Sequence, residues 1–336
     1  MKALVLERYG KANQLAFKDL PRPTIQPRQI LVKVHAVGLN PIDTMIPKGD
    51  FKPILKFQLP AVMGSDLAGV VVEVGNQVTR FKVGDSVYAS VFDLGTGSLA
   101  EYTLVPESAA AHKPEKLNFI EAASIPMVGL TSWQALKERA SIKLGQKVFI
   151  PAGSGGIGTF AIQLAKHLGA KVATTTSTRN IAFVKRLGAD EVIDYKTQAF
   201  EKLLQGYDAV LGTTRGDGIE KALQILKPNS RVVSLIGPPD AAFARQRGMN
   251  IFMRLVFGLL SNKIIRLAKK RDIEYSFLFV QPNGQQLAEI GKIIDDGQIQ
   301  PVIDRVFPFD QTLQALAYLE EGRAKGKVVV QLIESK

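Results

Sequence analysis

The sequence predicts an α/β protein in which an irregular antiparallel, barrel-like domain accompanies a doubly wound parallel sheet. Short β-branched runs between glycines and prolines fill the first third of the chain. From Lys147 onward, strand-like and helix-like runs alternate, which is typical of parallel βαβ units. A length of 336 residues is enough for about two such domains.

The antiparallel part is predicted from alternation and from turn residues. Within Gln29–Val37, apolar Val32 and Val34 alternate with polar Lys33 and His35, as in a half-buried strand. The other strands predicted here are Lys2–Glu7, Ala68–Val74, Asp85–Ser90 and Leu99–Val105. Many short strands of this kind are typical of a barrel-like domain.

The parallel part follows a stretch with helical spacing, Asn118–Ala140. Its predicted strands are Lys147–Pro151, Lys171–Thr176, Glu191–Asp194, Tyr207–Leu211, Arg231–Ile236 and Tyr275–Val280. Its predicted helices cover residues 156–168, 179–187, 197–204 and 216–227. The tail predicts helix Gly284–Asp295, strand Val302–Phe307, helix Gln311–Gly322 and strand Lys327–Leu332. We expect this tail to return to the first domain, so that residues 1–123 and 283–336 form one domain and residues 124–282 the other.

The composition excludes several kinds of site. Without cysteine, disulfides, iron–sulfur clusters and cysteine nucleophiles are impossible. His35, His112 and His167 are far apart and form no zinc-binding pattern, so we expect no metal. The net charge of +12 either attracts anionic partners or simply maintains solubility. A charged N-terminus and the lack of a long apolar run predict a cytoplasmic protein.

The most specific motif is a glycine-rich loop after the strand at Lys147. It reads G-x-G-x-x-G at Gly153, Gly155 and Gly158 and opens an amphipathic helix. In such loops the glycines allow a tight turn, close approach to a pyrophosphate and close packing of helix on sheet. The helix N-terminus then offers unpaired N–H groups to the phosphates. The motif in this context predicts a dinucleotide-binding Rossmann domain.

The end of the second strand favours NADPH. NAD-binding sites usually have an acidic residue about 20 residues after the loop, which binds the ribose 2′-hydroxyl. Residues 174–180 contain no acidic residue. Ser177 and Thr178 can donate to a phosphate, and Arg179 supplies a planar cation. Capping of the next helix by Ser177 or Thr178 is an alternative role that is compatible with the first.

Together these motifs resemble the zinc-independent quinone oxidoreductase branch of the medium-chain dehydrogenase/reductase superfamily, particularly its enone and alkenal reductases. The other segments that carry the resemblance are Gly38–Asp43, Gly64–Gly69, Gly97–Tyr102, Leu187–Tyr195 and Gly322–Lys327. It implies a GroES-like catalytic domain beside the Rossmann domain and NADPH as cofactor. Zinc-dependent members carry Cys where Asn40 stands and a His–Glu pair where Ser65 and Asp66 stand, so the resemblance also implies no metal.

The resemblance implies roles for single residues. Gly156 and Ile157 would bind the pyrophosphate, and Tyr195 would flank the adenosine. The pocket for the 2′-phosphate would consist of Ser177, Thr178, Arg179 and Asn180. The nicotinamide end would be lined by Thr131, Ile236, Phe279, Val280, Gln281, Gly322 and Arg323. Ordinary core packing of Ile236 and Phe279, and a strand-edge position of Tyr195, are the alternatives.

The cofactor must carry the chemistry, since no catalytic triad or P-loop is present. We expect hydride transfer to a quinone or to an enone or enal, with the Asn40 amide stabilising the carbonyl oxygen by family analogy. Asn40 and Pro41 could instead form only a turn. Alternative functions are a crystallin-like NADPH-binding protein with a basic surface, or a nucleic-acid binder, for which no motif exists. We expect an apolar carbonyl or quinone substrate, no nucleic acid, and a homodimer or monomer.

One basic segment remains outside these roles. Ala241–Arg271 has eight basic residues and no acidic one, and within it Ile251–Leu260 is strongly apolar yet too short to span a membrane. One interpretation is a buried helix followed by a solvated basic helix. The other is an apolar, basic rim that guides an apolar acceptor and contacts anionic lipid.

Overall fold

The computed structural model describes residues 1–10, 14–55, 57–214 and 216–333. The chain forms two compact units. Unit 1 contains Met1–Leu130 and Gln281–Lys336, and unit 2 contains Thr131–Val280. Residues 334–336, which the sequence assigns to the first domain, lie outside the described residues.

The N-terminal part of unit 1 consists of short strands and helices. Its strands are β1 (Lys2–Leu6), β2 (Leu15–Asp19), β3 (Gln29–Leu39), β4 (Ala61–Val62), β5 (Asp66–Val74), β6 (Ser86–Ser90), β7 (Tyr102–Pro106) and β8 (Ala110–His112). Its helices are α1 (Pro41–Met45), α2 (Phe119–Ala123) and α3 (Pro126–Trp133), the last of which includes residues of both units.

Unit 2 alternates strands and helices after a π-helical turn at Gln134–Arg139. Its strands are β9 (Lys147–Ile150), β10 (Lys171–Thr176), β11 (Glu191–Asp194), β12 (Tyr207–Gly212), β13 (Leu226–Ser234) and β14 (Ile273–Phe277). Its helices are α4 (Gly156–His167), α5 (Ile181–Arg186), α6 (Phe200–Leu203), α7 (Gly218–Ile225), α8 (Ala241–Gln246) and α9 (Ile251–Lys269). The chain then returns to unit 1 with α10 (Gly284–Asp295), β15 (Ile303–Pro308), α11 (Thr312–Glu320) and β16 (Lys327–Gln331).

The main sheet of unit 1 joins the N-terminal strands to the C-terminal tail. Its strand order is β15-β16-β3-β5-β6-β8, with β7 paired to β3, and a smaller sheet has the order β2-β1-β4. β16 runs antiparallel to β3, with Val328 opposite Leu39. This register places Lys327, the first residue of β16, next to the end of β3, where Asn40 follows.

The sheet of unit 2 is entirely parallel and has the order β11-β10-β9-β12-β13-β14. The order reverses between β9 and β12, which makes that point the topological switch where open α/β sheets bind their ligands. Buried Phe149, Tyr207 and Val232 pack in one apolar cluster of this unit. The predicted fold class, a Rossmann-type sheet together with an antiparallel domain, is confirmed.

The predicted helix at residues 197–204 is too long. Thr197 N and Gln198 N both donate to the carbonyl oxygen of Asp194 and close a turn. The helix α6 is therefore confined to four residues.

The strand predicted at Arg231–Ile236 is also misplaced, because β13 already ends at Ser234. Gly237 N donates to Ser234 Oγ at 2.8 Å and turns the chain away from the sheet. Ile236 consequently lies beyond the strand and is 40% exposed, so the alternative that it belongs to the strand core is wrong.

The segment Ala241–Arg271 forms α8 and one continuous α9 rather than a buried helix followed by a separate basic one. Asn250 caps α9, since its Oδ1 accepts from Met253 N at 2.9 Å. Neither proline nor a turn-forming glycine separates the apolar half of α9 from its basic half, so the helix runs through both. None of the helices in the described residues is both long and apolar enough to cross a membrane.

Candidate functional site

The glycine loop of unit 2 is built by close contact between β9, β10 and α4. A Cβ atom added to Gly153 would lie 2.2 Å from Thr174 Oγ1, and one added to Gly158 would lie 2.5 Å from the carbonyl oxygen of Ala152. These two glycines are therefore required by packing. At Gly155 the nearest atom would be 3.4 Å away, so the middle of the loop has room for an approaching ligand.

The N-terminus of α4 is free to bind an anion. Gly155 occupies its N-cap and makes no side-chain cap hydrogen bond, so the N–H groups of the first turn, at Gly156, Ile157 and Gly158, have no partner within the helix. The dipole of a twelve-residue helix adds a partial positive charge at the same place. Ala152, just before the loop, has a φ of +55°, which is a strained backbone conformation for a residue with a side chain.

A cluster of polar side chains lies at the carboxyl ends of β9 and β10. Ser154 Oγ accepts from Thr176 Oγ1 at 3.0 Å and from Asn180 Nδ2 at 3.2 Å. Asn180 Nδ2 also donates to Ser177 Oγ at 3.3 Å. Asn180 Oδ1 is buried and has no hydrogen-bond partner among the described residues. A buried acceptor of this kind is costly unless a ligand or water donates to it.

Thr178 and Arg179 differ in what they can offer a ligand. Thr178 Oγ1 donates to Asp194 Oδ2 at 2.5 Å, so its hydroxyl proton is engaged within the chain, and its contact with a phosphate stays a prediction. Arg179 is exposed and forms no ion pair in the described part of the chain. Of the predicted phosphate ligands, Arg179 is the cation that remains available.

Asp194 is an acidic residue at this edge that the sequence argument missed. It ends β11 and is 6% exposed. Its Oδ1 accepts from Lys196 N at 3.0 Å and its Oδ2 accepts from Thr178. The hydrogen bond from Thr178 is the main reason why the pKa of Asp194 lies below its ordinary value. Asp194 follows Thr178 by 16 residues, so a search of the residues just after β10 does not include it. The order of strands in the sheet could have indicated it, because β11 lies next to β10.

Three more predicted residues of unit 2 follow the strands β11 and β14, and Thr131 lies in α3. Tyr195 directly follows β11, is 62% exposed, and donates its N–H to Thr176 O at 3.2 Å. Phe279 and Val280 follow β14 and are half-buried, and the Phe279 ring lies 5.6 Å from that of Phe243. Thr131 is 4% exposed at the start of the unit.

These features fit a dinucleotide. The uncapped α4, the open loop at Gly155 and the orphan Asn180 Oδ1 lie at the carboxyl ends of neighbouring strands β9 and β10. Arg179 lies between two members of the polar cluster, Ser177 and Asn180. The loop and α4 would hold the pyrophosphate, and the segment from Ser177 to Asn180 would hold the adenosine side.

Unit 1 contains a fully buried polar cluster around Asn40. Asn40 Nδ2 donates to Asp66 Oδ2 at 2.9 Å and to Gly38 O at 3.3 Å. Asn40 Oδ1 accepts from Lys327 Nζ at 2.5 Å. Both amide protons of Asn40 are thus engaged inside the unit, and the side chain is 2% exposed. In this arrangement Asn40 joins a buried cation to a buried anion. Its role toward a substrate oxygen stays a prediction.

Lys327 and Asp66 form the ion pair of this cluster. Their Nζ and Oδ2 atoms are 3.7 Å apart, and their side chains are 5% and 0% exposed. Asp66 Oδ2 also accepts from Met127 N at 3.1 Å, whereas Asp66 Oδ1 has no hydrogen-bond partner in the described part of the chain. Burial raises the pKa of Asp66 and lowers the pKa of Lys327, and each charge opposes the shift of the other.

Asp43 adds a second carboxyl group to the cluster. Its Oδ1 accepts from Ser65 Oγ at 2.5 Å and its Oδ2 accepts from Asn40 N at 2.8 Å. Burial raises the pKa of Asp43 to about 7 in spite of these hydrogen bonds, and the nearby charge of Asp66 adds to the shift. The cluster therefore contains two carboxyl groups that tend to bind protons and a single ammonium group.

Three further predicted residues lie in unit 1. Gly322 has a φ of +67° and ends the turn after α11, as a helix C-terminus favours. Arg323 and Gln281 are exposed. These residues lie outside the unit that contains the glycine loop.

Comparison with known proteins identifies the family. The chain matches the models "Alcohol dehydrogenase GroES-like domain" over residues 26–115 and "Zinc-binding dehydrogenase" over residues 187–330. A mitochondrial NAD(P)H oxidoreductase of Danio rerio is 36% identical, with 100% of this chain and 92% of the relative covered. A 2-methylene-furan-3-one reductase of Solanum lycopersicum is 37% identical, with 98% and 79% covered. A chloroplastic NADPH-dependent alkenal/one oxidoreductase of Arabidopsis thaliana is 36% identical, with 98% and 79% covered. The structure of the quinone oxidoreductase from Coxiella burnetii has a TM-score of 0.84 and 32% identity, with 99% of each chain covered.

The chain belongs to the medium-chain dehydrogenase/reductase superfamily, in its quinone and enone oxidoreductase branch. As a member of this branch it is an oxidoreductase with a nicotinamide cofactor. Its relatives include mitochondrial and chloroplastic proteins, so a cytoplasmic location stays a prediction.

The buried cluster of this oxidoreductase contains Asn40, Ser65 and Asp66. These are the positions where the sequence resemblance implies the zinc-ligating Cys and the His–Glu pair of zinc-dependent members. In the described residues no three His, Cys, Asp or Glu side chains form a group that could hold a metal ion. Lys327 brings a positive charge within hydrogen-bond distance of Asn40, and an ammonium group has no lone pair to give a metal. This donor set does not fit a zinc ion.

Proposed function

We propose that this oxidoreductase is an NADPH-dependent reductase that transfers a hydride to an α,β-unsaturated carbonyl compound or a quinone without a metal. The observation that carries the proposal is the polar edge of unit 2, where the glycine loop and an unpaired Arg179 follow neighbouring strands. Relatives named for enone, alkenal and quinone reduction support the class of acceptor.

The preference for NADPH is supported by the charges at the end of β10. A 2′-phosphate needs cations and N–H donors, whereas a ribose 2′-hydroxyl needs a free carboxylate as acceptor. Arg179 forms no ion pair with any residue that the structure describes, and both oxygens of Asp194 already accept hydrogen bonds from Thr178 and Lys196. The relative that is named NADPH-dependent is 36% identical to this chain.

The chain's own residues hold the reactants and keep the site rigid. When bound, the nicotinamide supplies the hydride. The N–H groups at the start of α4 neutralise the pyrophosphate, and Arg179 neutralises the 2′-phosphate. In unit 1 the ion pair of Lys327 and Asp66 joins the start of β16 to the start of β5, and Asn40 connects both residues to the end of β3.

The proposal is tested by measuring NADPH oxidation with a panel of enones, enals and quinones. The protein is first dialysed at length against a chelator, and NADH serves as the comparison cofactor. We expect activity with at least one acceptor class, a preference for NADPH, and no loss on dialysis. Loss of activity that zinc alone restores contradicts the metal-free reaction. Tight NADPH binding with no oxidation by any acceptor supports the crystallin-like alternative instead.

A further inference from the structure

Helix α9 is anchored to unit 2 along one face only. Phe257, Ser261, Ile264 and Ala268 are buried on that face, and their spacing of three or four residues places them in one stripe. Ile264 and Ala268 join the apolar core of the unit, and the Phe257 ring stacks 6.1 Å from that of Phe243 on α8. The opposite face of α9 is therefore the one that the fold leaves uncovered.

The first half of the uncovered face is apolar. The exposed side chains there are Ile251 (69%), Phe252 (66%), Leu255 (62%), Leu259 (74%) and Leu260 (58%). The described chain has thirteen exposed large hydrophobic side chains, and five of them lie within the ten residues from Ile251 to Leu260. Single exposed apolar residues need no explanation, but a contiguous patch marks an interaction site.

The second half of the same face is cationic. The exposed side chains there are Lys263, Arg266, Lys269 and Lys270. Because an α-helix turns by 100° per residue, these four lie on the same side of α9 as Phe252 and Leu259. Lys263 pairs with Glu220 of α7 at 2.7 Å. Arg266, Lys269 and Lys270 form no ion pair in the described residues. Residues 241–271 contain no acidic side chain.

We propose that this face of α9 binds an anionic lipid surface. The apolar side chains enter the boundary between head groups and acyl chains, and the three unpaired cations bind lipid phosphates or carboxylates. A helix with large apolar side chains followed by unpaired cations, and without any acid, has the composition of an interfacial helix. The apolar half spans about 15 Å, which allows partial insertion but no crossing.

An anionic bilayer fits both halves of the face at once. The cations alone would suit any acidic partner, and the apolar side chains alone would suit a second copy of the chain. A second copy would have to place its own cations against these, because the basic segment has no acidic complement within it. Attraction by charge together with insertion by apolar side chains is the two-signal arrangement that holds a protein reversibly at a membrane. This proposal does not depend on the reaction catalysed.

Vesicle sedimentation tests the proposal. The full chain is mixed with vesicles of equimolar phosphatidylcholine and phosphatidylglycerol, and in parallel with vesicles of pure phosphatidylcholine. We expect binding to the mixed vesicles at low salt, weakening as salt rises, because the attraction of surface charges is screened within about 10 Å at 0.1 M salt. Pure phosphatidylcholine should bind the protein far less. Absence of binding to the mixed vesicles at low salt overturns the proposal.

Two variants separate the two halves of the face. Phe252→Ser/Leu255→Ser/Leu259→Ser removes apolar surface, and its matched control is Leu144→Ser/Leu203→Ser/Leu313→Ser, which changes exposed leucines elsewhere. Arg266→Gln/Lys269→Gln/Lys270→Gln removes three charges, and its matched control is Lys82→Gln/Lys143→Gln/Lys202→Gln. All the changed side chains are exposed, so the variants should fold, and circular dichroism checks that they do.

We expect the charge variant to lower the partition coefficient about 100-fold, since each cation near the surface contributes about fivefold. The apolar variant should lose binding to mixed vesicles at every salt concentration, and both controls should bind as the unchanged protein does. Equal losses in variants and controls overturn the proposal in favour of a general effect of net charge. A shift from dimer to monomer in the apolar variant, with no vesicle binding by any form, overturns it in favour of a second copy of the chain.

Discussion

Replacing Lys327 by methionine should destabilise unit 1 strongly. The substitution keeps the length of the side chain but removes the only cation within the cluster described around Asp66 and Asn40. At a separation of 3.7 Å and an effective dielectric constant of about 20, the lost attraction is about 4 kcal/mol. Removal of one partner from other buried pairs costs about 3–5 kcal/mol, because the remaining charge is left without compensation.

Urea unfolding followed by circular dichroism measures this loss, with Lys327→Met/Asp66→Asn as the second variant. The double variant contains no buried charge at either position, so it should regain most of the stability that the single variant loses. A loss below about 1 kcal/mol in the single variant, or no recovery in the double variant, would refute the reasoning.

The loss should also depend on pH in one direction. In the single variant, burial raises the pKa of Asp66 with no cation to oppose the shift. A carboxyl group whose folded pKa lies above its unfolded value destabilises the fold at high pH, and this penalty shrinks as the pH falls from the folded pKa toward the unfolded pKa. The gap between the unchanged protein and the variant should therefore narrow in acid. A gap that widens in acid contradicts the assignment of the loss to Asp66.

Three further predictions concern the dinucleotide site of unit 2 and the buried cluster of unit 1. Arg179→Ala should weaken NADPH binding by about 1–3 kcal/mol and leave NADH binding nearly unchanged. Fluorescence titration measures both affinities, and the exposed Arg186→Ala on α5 is the control. Equal losses for both cofactors would rule out contact of Arg179 with the 2′-phosphate. The pKa of Asp43 is raised from 3.8 to about 7, so the free energy of unfolding should fall by up to about 4 kcal/mol as the pH rises across that range. Asp43→Asn should flatten this dependence of stability on pH. An unchanged dependence would assign the titration to another group. Gly158→Ala would place a methyl group 2.5 Å from the carbonyl oxygen of Ala152. It should lower the stability by about 1–3 kcal/mol and weaken the binding of NADPH and NADH to the same extent. An unchanged thermal unfolding transition would show that the loop relaxes easily.

Local sequence patterns were sufficient for most of the secondary structure. The strands at Lys171–Thr176 and Glu191–Asp194 and the helix Gly284–Asp295 have the predicted bounds, because apolar periodicity and flanking glycines specify such elements within a few residues. The glycine loop could also be predicted, since its turn, its open centre and its helix are adjacent in sequence. The errors occurred at ends, as at Ile236, where a single hydrogen bond to Ser234 Oγ turned the chain.

Contacts between distant residues needed the tertiary structure. Lys327 and Asn40 are 287 residues apart, and the pairing of β16 with β3 brings the Lys327 ammonium to the Asn40 Oδ1 atom, while the Asn40 Nδ2 group donates to Asp66, 26 residues away. Asp194 likewise reaches Thr178 because β11 pairs with β10.

The sequence by itself determined the fold class, the dinucleotide loop and the absence of cysteine ligands, because each depends on composition or on residues close together in the chain. The tertiary structure decided which polar groups remain available. It engaged both protons of Asn40, used the hydroxyl of Thr178, left Arg179 unpaired, and turned the apolar half of α9 outward. A hydrogen-bond donor can be used only once, and a helix buries only the face that meets the core, so availability depends on neighbours that local sequence does not specify.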